Sequence, residues 1–340
     1  MTRPGARNSI TDVPGLLVGC AADVAVRTGV TVIAPQERAI CAVDVRGGGP
    51  GTRETDALAA ENLVDAVDAV VLSGGSVYGL AAADGVVAAM GAAGDGFALV
   101  NRPGVPRSPV VPSAILYDLA NGGAKDWGTE PPYRALGMAA YAARGIETPL
   151  GNAGAGYGAL AGALKGGQGT ASAITPDGFV VGALACVNSY GSVVAPGSRA
   201  FWAWPYEIDA EFGGARPWDD GPPPPLEPED WGLAKVNPGA RENTTIAAVA
   251  VNAILSPAEA RRLAQMASAG LARAIRPVFT PFDGDVVFAL AMGAAPLGPA
   301  RAMDLARLGA LAADVLARAV ARGVYAADPV GPHQAWRSLR

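Results

Sequence analysis

Histidine is almost absent from this sequence of 340 residues, in which His333 is the only one. A Ser-His-Asp triad needs a histidine as its base, and zinc sites commonly use several histidines as ligands. The sequence therefore offers no basis for either kind of site. We expect neither a metal ion nor another cofactor.

Cysteines, charges and aromatic side chains are also scarce. The three cysteines, Cys20, Cys41 and Cys186, are odd in number and scattered, so a disulfide framework is not indicated. Charged residues make up 17%, with a net charge of −5 and no basic run, which argues against nucleic acid as a partner. Aromatic residues make up 6%, which is few for stacking on bases.

Long uninterrupted apolar runs are missing, although 50% of the residues are hydrophobic. Residues 1–7 lead into polar sequence instead of an apolar signal core. The Ala-rich run 80–100 is interrupted by Asp84, Gly85 and Asp95, which argues against a membrane helix. The sequence predicts a cytoplasmic protein with a large apolar core and no membrane partner.

Short apolar segments alternate with helical segments along the chain. Because the predicted strands are apolar on both faces, we expect sheets covered by helices in an α/β layered domain. Ser256-Pro257-Ala258-Glu259 is a capping box and marks a helix start. The predicted strands span 30–33, 39–45, 69–72, 114–118, 179–187, 245–251 and 286–292, and the predicted helices span 57–67, 77–90, 134–144, 256–274 and 301–322, the last ended by Gly323.

Two segments do not fit this alternation. Residues 151–169 are dense in glycine, which predicts a loop or closely packed backbone. Residues 213–242 contain four consecutive prolines, Pro222 to Pro225, among acidic residues. Proline lacks the backbone N–H that a core element would use, so this segment is predicted to be a surface linker.

The junction Asn243-Thr244 lies between that linker and the predicted strand 245–251. If the chain were cut before Thr244, its hydroxyl would gain a base on the same residue, the freed α-amine. The alternative is an ordinary loop-to-strand junction, where Asn and Thr are common.

Four further side chains are candidates for chemistry, and each has a simpler alternative. Asp283 and Asp285 flank Gly284 and could hold an α-ammonium, or they could form a simple turn. Lys165, among glycines, could lower the pKa of a neighbouring amine or stabilise an oxyanion, or lie in a solvated loop. Asn188 could donate its amide to an oxyanion, or end a strand.

Tyr117 could donate its hydroxyl to a bound carbonyl, although a tyrosine at a strand end more often packs. The glycine loops 47–51 and 73–76 could present backbone N–H groups to an anion. Neither loop has the spacing of a dinucleotide-binding or P-loop motif.

Read together and in chain order, these segments resemble the P1 peptidase family, which includes D-/β-aminopeptidases and nylon-oligomer (6-aminohexanoate-oligomer) hydrolases. The resemblance extends from Ile10 to about Ala321. The segments are Arg46-Gly47-Gly48-Gly49-Pro50-Gly51-Thr52, Ser73-Gly74-Gly75-Ser76-Val77-Tyr78-Gly79-Leu80, Ile115-Leu116-Tyr117-Asp118, Asn243-Thr244-Thr245-Ile246 and Pro281-Phe282-Asp283-Gly284-Asp285.

The resemblance implies a single αββα sandwich over residues 1–340, cut into chains 1–243 and 244–340 that stay together. It also implies a homo-oligomer, for which a tetramer is expected. The implied roles are Thr244 as the nucleophile, Asn243 as the new C-terminus, Asn188 and Tyr117 near the oxyanion, Lys165 as the active-site lysine, and Asp283 and Asp285 as the pair that orients the nucleophile.

The resulting expectation is a self-processing amide hydrolase that acts on small peptides or amino-acid oligomers. The Asn-Thr junction and the Asp-Gly-Asp run resemble nylon-oligomer hydrolases, whereas the glycine loop at 46–56 resembles aminopeptidases. The substrate therefore stays open. The alternatives are acyl transfer on the same nucleophile and a non-catalytic ligand-binding protein.

Overall fold

Two β-sheets form the framework of the protein, whose computed structural model describes residues 2–64, 66–217, 227, 230–236 and 243–339. The strands are β1 (Leu16–Asp23), β2 (Thr28–Pro35), β3 (Ala39–Val45), β4 (Thr52–Arg53), β5 (Ala66–Val67), β6 (Val70–Ser73), β7 (Ser113–Ile115), β8 (Leu160–Ala161), β9 (Leu164–Lys165), β10 (Gly167–Ile174), β11 (Val180–Asn188), β12 (Thr244–Ala253) and β13 (Val286–Ala295). The helices are α1 (Ala81–Ala93), α2 (Tyr133–Ala142), α3 (Pro257–Ala267), α4 (Ala269–Ala274) and α5 (Arg301–Tyr325).

The larger sheet has the strand order β10-β11-β12-β13-β3-β5, and the smaller one has the order β1-β2-β6-β7-β4. Strands β12 and β13 pair in parallel, as do β6 and β7. The other neighbours in both sheets are antiparallel. Strand β12 therefore lies inside the larger sheet, with β11 on one side and β13 on the other.

Three apolar layers hold the sheets and helices together. Ile33 and Leu72 of the smaller sheet share one buried cluster with Ile246 and Phe288 of the larger sheet. Helices α3, α4 and α5 cover the outer face of the larger sheet. Helices α1 and α2 cover the smaller sheet. The predicted αββα sandwich is confirmed.

Helix α3 begins at the predicted capping box. The Ser256 amide donates to Glu259 Oε2 at 2.8 Å, and the Glu259 amide donates back to Ser256 Oγ at 3.3 Å. The single predicted helix 256–274 is divided at Ser268, whose hydroxyl donates to Asp44 Oδ2 at 2.6 Å. The capping box therefore predicted the start of α3 correctly. The point where the helix is divided is in contact with the distant strand β3, through Ser268 and Asp44.

Glycines are placed where helix α5 approaches strand β10. A Cβ on Gly169 would lie 1.9 Å from the carbonyl oxygen of Ala319, so only glycine fits there. Gly323 faces the same strand and does not end the helix, which continues to Tyr325. The glycine-dense segment 151–169 is thus partly closely packed backbone, as one of the two alternatives predicted.

Several local predictions were wrong. Residues 57–67 are not helical, because their described part contains a short 3-10 turn (Asp56–Leu58) and strand β5. Strands β1 and β10 were not predicted, since small and polar residues interrupt their apolar pattern. In the predicted linker 213–242, the described residues before Asn243 contain no helix or strand. The prolines 222–225 lie outside the described residues.

Among the described residues, the stretch Ser76–Ala93 is long and apolar enough to cross a membrane by length and composition. In this fold it contains helix α1, whose Ala82, Ala83 and Val86 are buried in a cluster with the smaller sheet. One face of helix α1 therefore packs against the smaller sheet.

Several of the predicted site residues lie at one edge of the larger sheet, where β11 ends and β12 and β13 begin. Asn188, at the end of β11, is the register partner of Thr244, at the start of β12. The run Asp283-Gly284-Asp285 leads directly into β13 at the same edge. Strand β3 ends there too, because Val45 pairs with Val286.

Candidate active site

Thr244 is the first residue of strand β12 and is 3% exposed. Its hydroxyl donates to the carbonyl oxygen of Asn243, with an Oγ1–O distance of 2.5 Å. The backbone N–H of Gly284 donates to the same oxygen at 2.8 Å. The carbonyl of the 243–244 peptide bond therefore has two donors, and one of them is the hydroxyl that would attack its carbon.

Gly284 is in contact with the hydroxyl of Thr244. A Cβ on Gly284 would lie 2.7 Å from Thr244 Oγ1 and 2.8 Å from the carbonyl oxygen of Gly49. Each of these contacts is too short for a side chain, so glycine is required here. The glycine loop 47–51 supports this turn, since the Gly49 N–H donates to the carbonyl oxygen of Asp283 at 2.7 Å. That N–H is therefore not directed at an anion.

The carboxylates of Asp283 and Asp285 are buried on either side of Gly284. Asp285 accepts from the Thr245 amide at 2.7 Å, and Asp283 accepts from the Thr280 amide at 2.9 Å. Burial, together with the nearby charge of Asp283, raises the pKa of Asp285. Neither carboxylate forms an ion pair within the described part of the chain. The turn thus presents two buried acidic groups without a cation.

Asn188 is buried, and its side chain links two other segments of the site. Its Nδ2 donates to the carbonyl oxygen of Tyr117 at 2.9 Å, and its Oδ1 accepts from the Leu160 amide at 2.8 Å. Tyr117, Leu160 and Asn188 line a small cavity of about 110 Å³. Asn188 therefore joins the backbone of Tyr117 to the start of β12, and this contact does not involve the Tyr117 hydroxyl that was predicted to act.

Lys165 is 1% exposed and does not lie in a solvated loop. Its Nζ donates to the carbonyl oxygens of Gly166 at 2.7 Å and Gly156 at 3.1 Å. Burial lowers the pKa of Lys165 to about 7, partly opposed by the charge of Asp118. An amine with this pKa exchanges its proton near neutral pH.

Asp118 is a further buried group that sequence reasoning did not single out. Its carboxylate accepts from the Thr28 hydroxyl and the Gly75 amide, each at 2.7 Å, and burial raises its pKa to about 6. It lines the same cavity as Tyr117. The only sequence feature that could have indicated Asp118 as a site residue was its position directly after Tyr117.

Lys235 was also missed, because the surrounding segment reads as a solvated linker. Its Nζ donates to Asn243 Oδ1 at 2.7 Å, and the residue lines the small cavity. No local pattern links positions 235 and 243, so this contact becomes visible only in the fold.

The arrangement is suited to nucleophilic attack by a hydroxyl on an amide carbonyl. Thr244 supplies the hydroxyl, Gly284 polarises the carbonyl, and the two aspartates could hold an ammonium group at the start of β12. Within the described residues, no group of three or more His, Cys, Asp or Glu side chains could hold a metal ion.

Comparisons with known proteins relate the chain to hydrolases of peptide and amide bonds. The family model "Peptidase family S58" matches residues 8–336. An uncharacterized aminopeptidase of Mycobacterium tuberculosis is 44% identical over 354 residues, covering 98% of this chain and 98% of the relative. A 6-aminohexanoate-oligomer endohydrolase of Agromyces sp. is 32% identical over 326 residues, covering 91% of this chain and 84% of the relative.

Solved structures show the same fold. A Burkholderia sp. beta-aminopeptidase has a TM-score of 0.71 and 23% identity, covering 98% of this chain and 91% of that one. The L-aminopeptidase D-Ala-esterase/amidase of Ochrobactrum anthropi, described as a variant of the Ntn hydrolase fold, has a TM-score of 0.70 and 21% identity, covering 97% and 89%. The resemblance drawn from the motifs is confirmed.

Proposed function

Because the chain belongs to peptidase family S58 and is a hydrolase of peptide or amide bonds, we propose that it cuts itself before Thr244 and then uses Thr244 as an N-terminal nucleophile. The supporting observation is the carbonyl oxygen of Asn243, which accepts from Thr244 Oγ1 at 2.5 Å and from the Gly284 amide at 2.8 Å. The nucleophile and a polarised carbonyl are adjacent before any cleavage.

Self-cleavage begins with attack of Thr244 Oγ1 on the carbonyl carbon of Asn243. The tetrahedral intermediate places negative charge on the carbonyl oxygen, where the Gly284 N–H can stabilise it. The C–N bond then breaks, the nitrogen takes the proton, and an ester joins Asn243 to the threonine oxygen. Water hydrolyses the ester and leaves chains 1–243 and 244–340.

The new α-amine forms beside Asp283 and Asp285. Its protonated form would supply the cation that both buried carboxylates lack, and the pair would hold the amine next to the hydroxyl. In its neutral form the amine takes the hydroxyl proton during attack on a substrate amide. An acyl-enzyme forms at Thr244, the leaving amine departs, and water hydrolyses the ester.

The substrates are proposed to be small peptides or amino-acid oligomers. Relatives named as aminopeptidases and as 6-aminohexanoate-oligomer endohydrolases support this range. We also propose that the two chains remain associated, that the protein forms a homo-oligomer, and that it acts in the cytoplasm.

The decisive experiment compares Thr244→Ala with Thr245→Ala. Both threonines are buried at the start of β12, but only the Thr244 hydroxyl contacts the carbonyl of Asn243. Thr244→Ala should abolish cleavage and amide hydrolysis, whereas Thr245→Ala should retain both. Denaturing gels, N-terminal sequencing and an amide hydrolysis assay provide the measurements.

In the wild type, the small fragment should begin Thr-Thr-Ile. A fragment that begins at Thr245, or a Thr244→Ala chain that still cuts at the same bond, contradicts the proposal. A fully active uncut wild-type chain contradicts it as well.

A further inference from the structure

The side chain of Asn243 belongs to the acyl residue of the proposed self-cleavage, and it contacts Lys235. We propose that a substrate's acyl residue takes the same position, and that Lys235 selects acyl residues with an acceptor oxygen on the γ carbon, as Asn and Asp have. This inference rests on the proposed function and names the substrate class of the same site. The observation behind it is the 2.7 Å contact between Lys235 Nζ and Asn243 Oδ1.

The chemistry of the two reactions links Asn243 to the substrate. Self-cleavage produces an ester between the Asn243 carbonyl and Thr244 Oγ1. Turnover produces an ester between the substrate's acyl carbonyl and the same oxygen. In both cases the leaving group is an amine and water attacks the ester carbonyl. Asn243 is therefore the acyl residue of the first reaction that this site performs.

The backbone fixes Lys235 in the wall of the site. Its amide donates to the carbonyl oxygen of Tyr190 at 3.0 Å, and the neighbouring Leu233 carbonyl accepts from the Ala163 amide at 2.7 Å. The Tyr190 ring contacts Trp231 edge to face, with a centroid distance of 5.9 Å. These contacts lie before the bond that is cut, so cleavage breaks none of them and Lys235 keeps its place.

The carboxamide of Asn243 is fully buried, and burying it without a hydrogen bond would be unfavourable. Lys235 supplies a charge-assisted bond to Oδ1, whereas Nδ2 has no partner among the described residues. Lys235 therefore recognises the side-chain oxygen of Asn243 and not its nitrogen. Charge-assisted bonds are stronger than neutral ones, so the oxygen is the group most able to discriminate.

The inference separates two kinds of substrate. An asparaginyl or aspartyl residue carries an oxygen on its γ carbon, where Lys235 can reach it. Leucine has almost the same shape as asparagine but has methyl groups at that point. A 6-aminohexanoyl group has only methylenes there. Acyl residues without the oxygen lose the charge-assisted hydrogen bond to the partly buried Lys235.

The test measures kcat/KM of the mature enzyme on asparagine p-nitroanilide and leucine p-nitroanilide. Wild type should prefer the asparagine compound by roughly tenfold or more, the value of one charge-assisted hydrogen bond. Lys235→Met should remove this preference by lowering kcat/KM on the asparagine compound, with no comparable loss on the leucine compound. Arg102→Met is the control, because Arg102 is exposed and does not line the cavity, and it should keep the preference.

A second measurement follows maturation of the precursor. Lys235→Met and the nearly isosteric Asn243→Leu should each slow self-cleavage, and the double variant should be no slower than the slower single variant. Such non-additivity is expected when two changes remove one contact. Additive rates would contradict the contact.

The outcomes separate this inference from the proposed function. If Thr244→Ala is inactive but wild type shows no preference for asparagine over leucine, Lys235 does not select the acyl residue and only the inference fails. Equal losses on both compounds in Lys235→Met have the same meaning. If Thr244→Ala still cleaves itself and hydrolyses amides, the proposed function is wrong, and the inference that rests on it is wrong as well.

Discussion

Two clusters of charge differ in whether they contain charges of both signs. On one side of the larger sheet, Arg318 contacts Glu211 at 2.5 Å and the carbonyl oxygen of Ser172 at 2.8 Å, and Arg322 lies 3.3 Å from Glu211. At the edge of the same sheet, Asp283 and Asp285 are buried and accept only neutral donors among the described residues.

The difference shows what each cluster does. A buried charge that is fully paired stabilises one arrangement of the chain, whereas an unpaired one is kept at a cost in stability. Glu211 belongs to segment 1–243 and Arg318 to segment 244–340, so the arginine–glutamate cluster joins the two proposed chains. The acidic pair lies where the proposed cleavage would create an ammonium. Under the proposed function, one cluster would hold the two chains together and the other would orient the nucleophile.

The largest effect should come from breaking the arginine–glutamate cluster. Glu211→Gln leaves the buried Arg318 without its counter-charge and should lower the free energy of unfolding by about 3–5 kcal/mol. Urea unfolding in the uncut Thr244→Ala background measures this, with the exposed Glu130→Gln as control. Stability equal to that of the control would mean that the cluster does not hold the segments together.

Removing one charge from the acidic pair should have a smaller effect, which lowers the rate of turnover without lowering the stability of the fold. Asp285→Asn keeps the shape but loses the charge that would hold the Thr244 ammonium, so turnover of mature enzyme should fall by about a hundredfold. In the Thr244→Ala background the same change should leave stability equal or higher, since an unbalanced buried acid is removed. A loss of stability as large as that of Glu211→Gln would show that the acidic pair stabilises the fold as the arginine–glutamate cluster does.

The smallest effect concerns pH. Because burial and the charge of Asp283 raise the pKa of Asp285, this carboxyl group keeps its proton to higher pH in the folded precursor than in the unfolded chain. The contribution of Asp285 to the stability of Thr244→Ala should therefore fall as pH rises from about 4 through the raised pKa. Asp285→Asn in that background should show a flatter profile by urea unfolding at several pH values. Parallel profiles for the two proteins would show that Asp285 is not the titrating group.

The sequence by itself determined the elements with strong local signals. Strand β12 follows from an uninterrupted apolar run, and the start of α3 follows from Ser256 and Glu259, whose bonds span three residues. The order of motifs was enough to identify the family and the αββα layers. Of the site residues named from the motifs, four lie at one edge of the larger sheet, namely Asn188, Thr244, Asp283 and Asp285. The roles of all the named residues remain predictions.

Only the tertiary structure decided which distant groups meet. Strands β1 and β10 were not predicted, because their small residues break the apolar pattern. These residues allow close contact with helices far along the chain, as between Gly169 and Ala319. Lys235 and Asp118 belong to the site through contacts that no local pattern encodes. An apolar run or a capping box is a property of neighbouring residues, whereas the burial and pairing of a charge depend on everything that packs around it. That physical difference separates what could be read from the sequence from what required the fold.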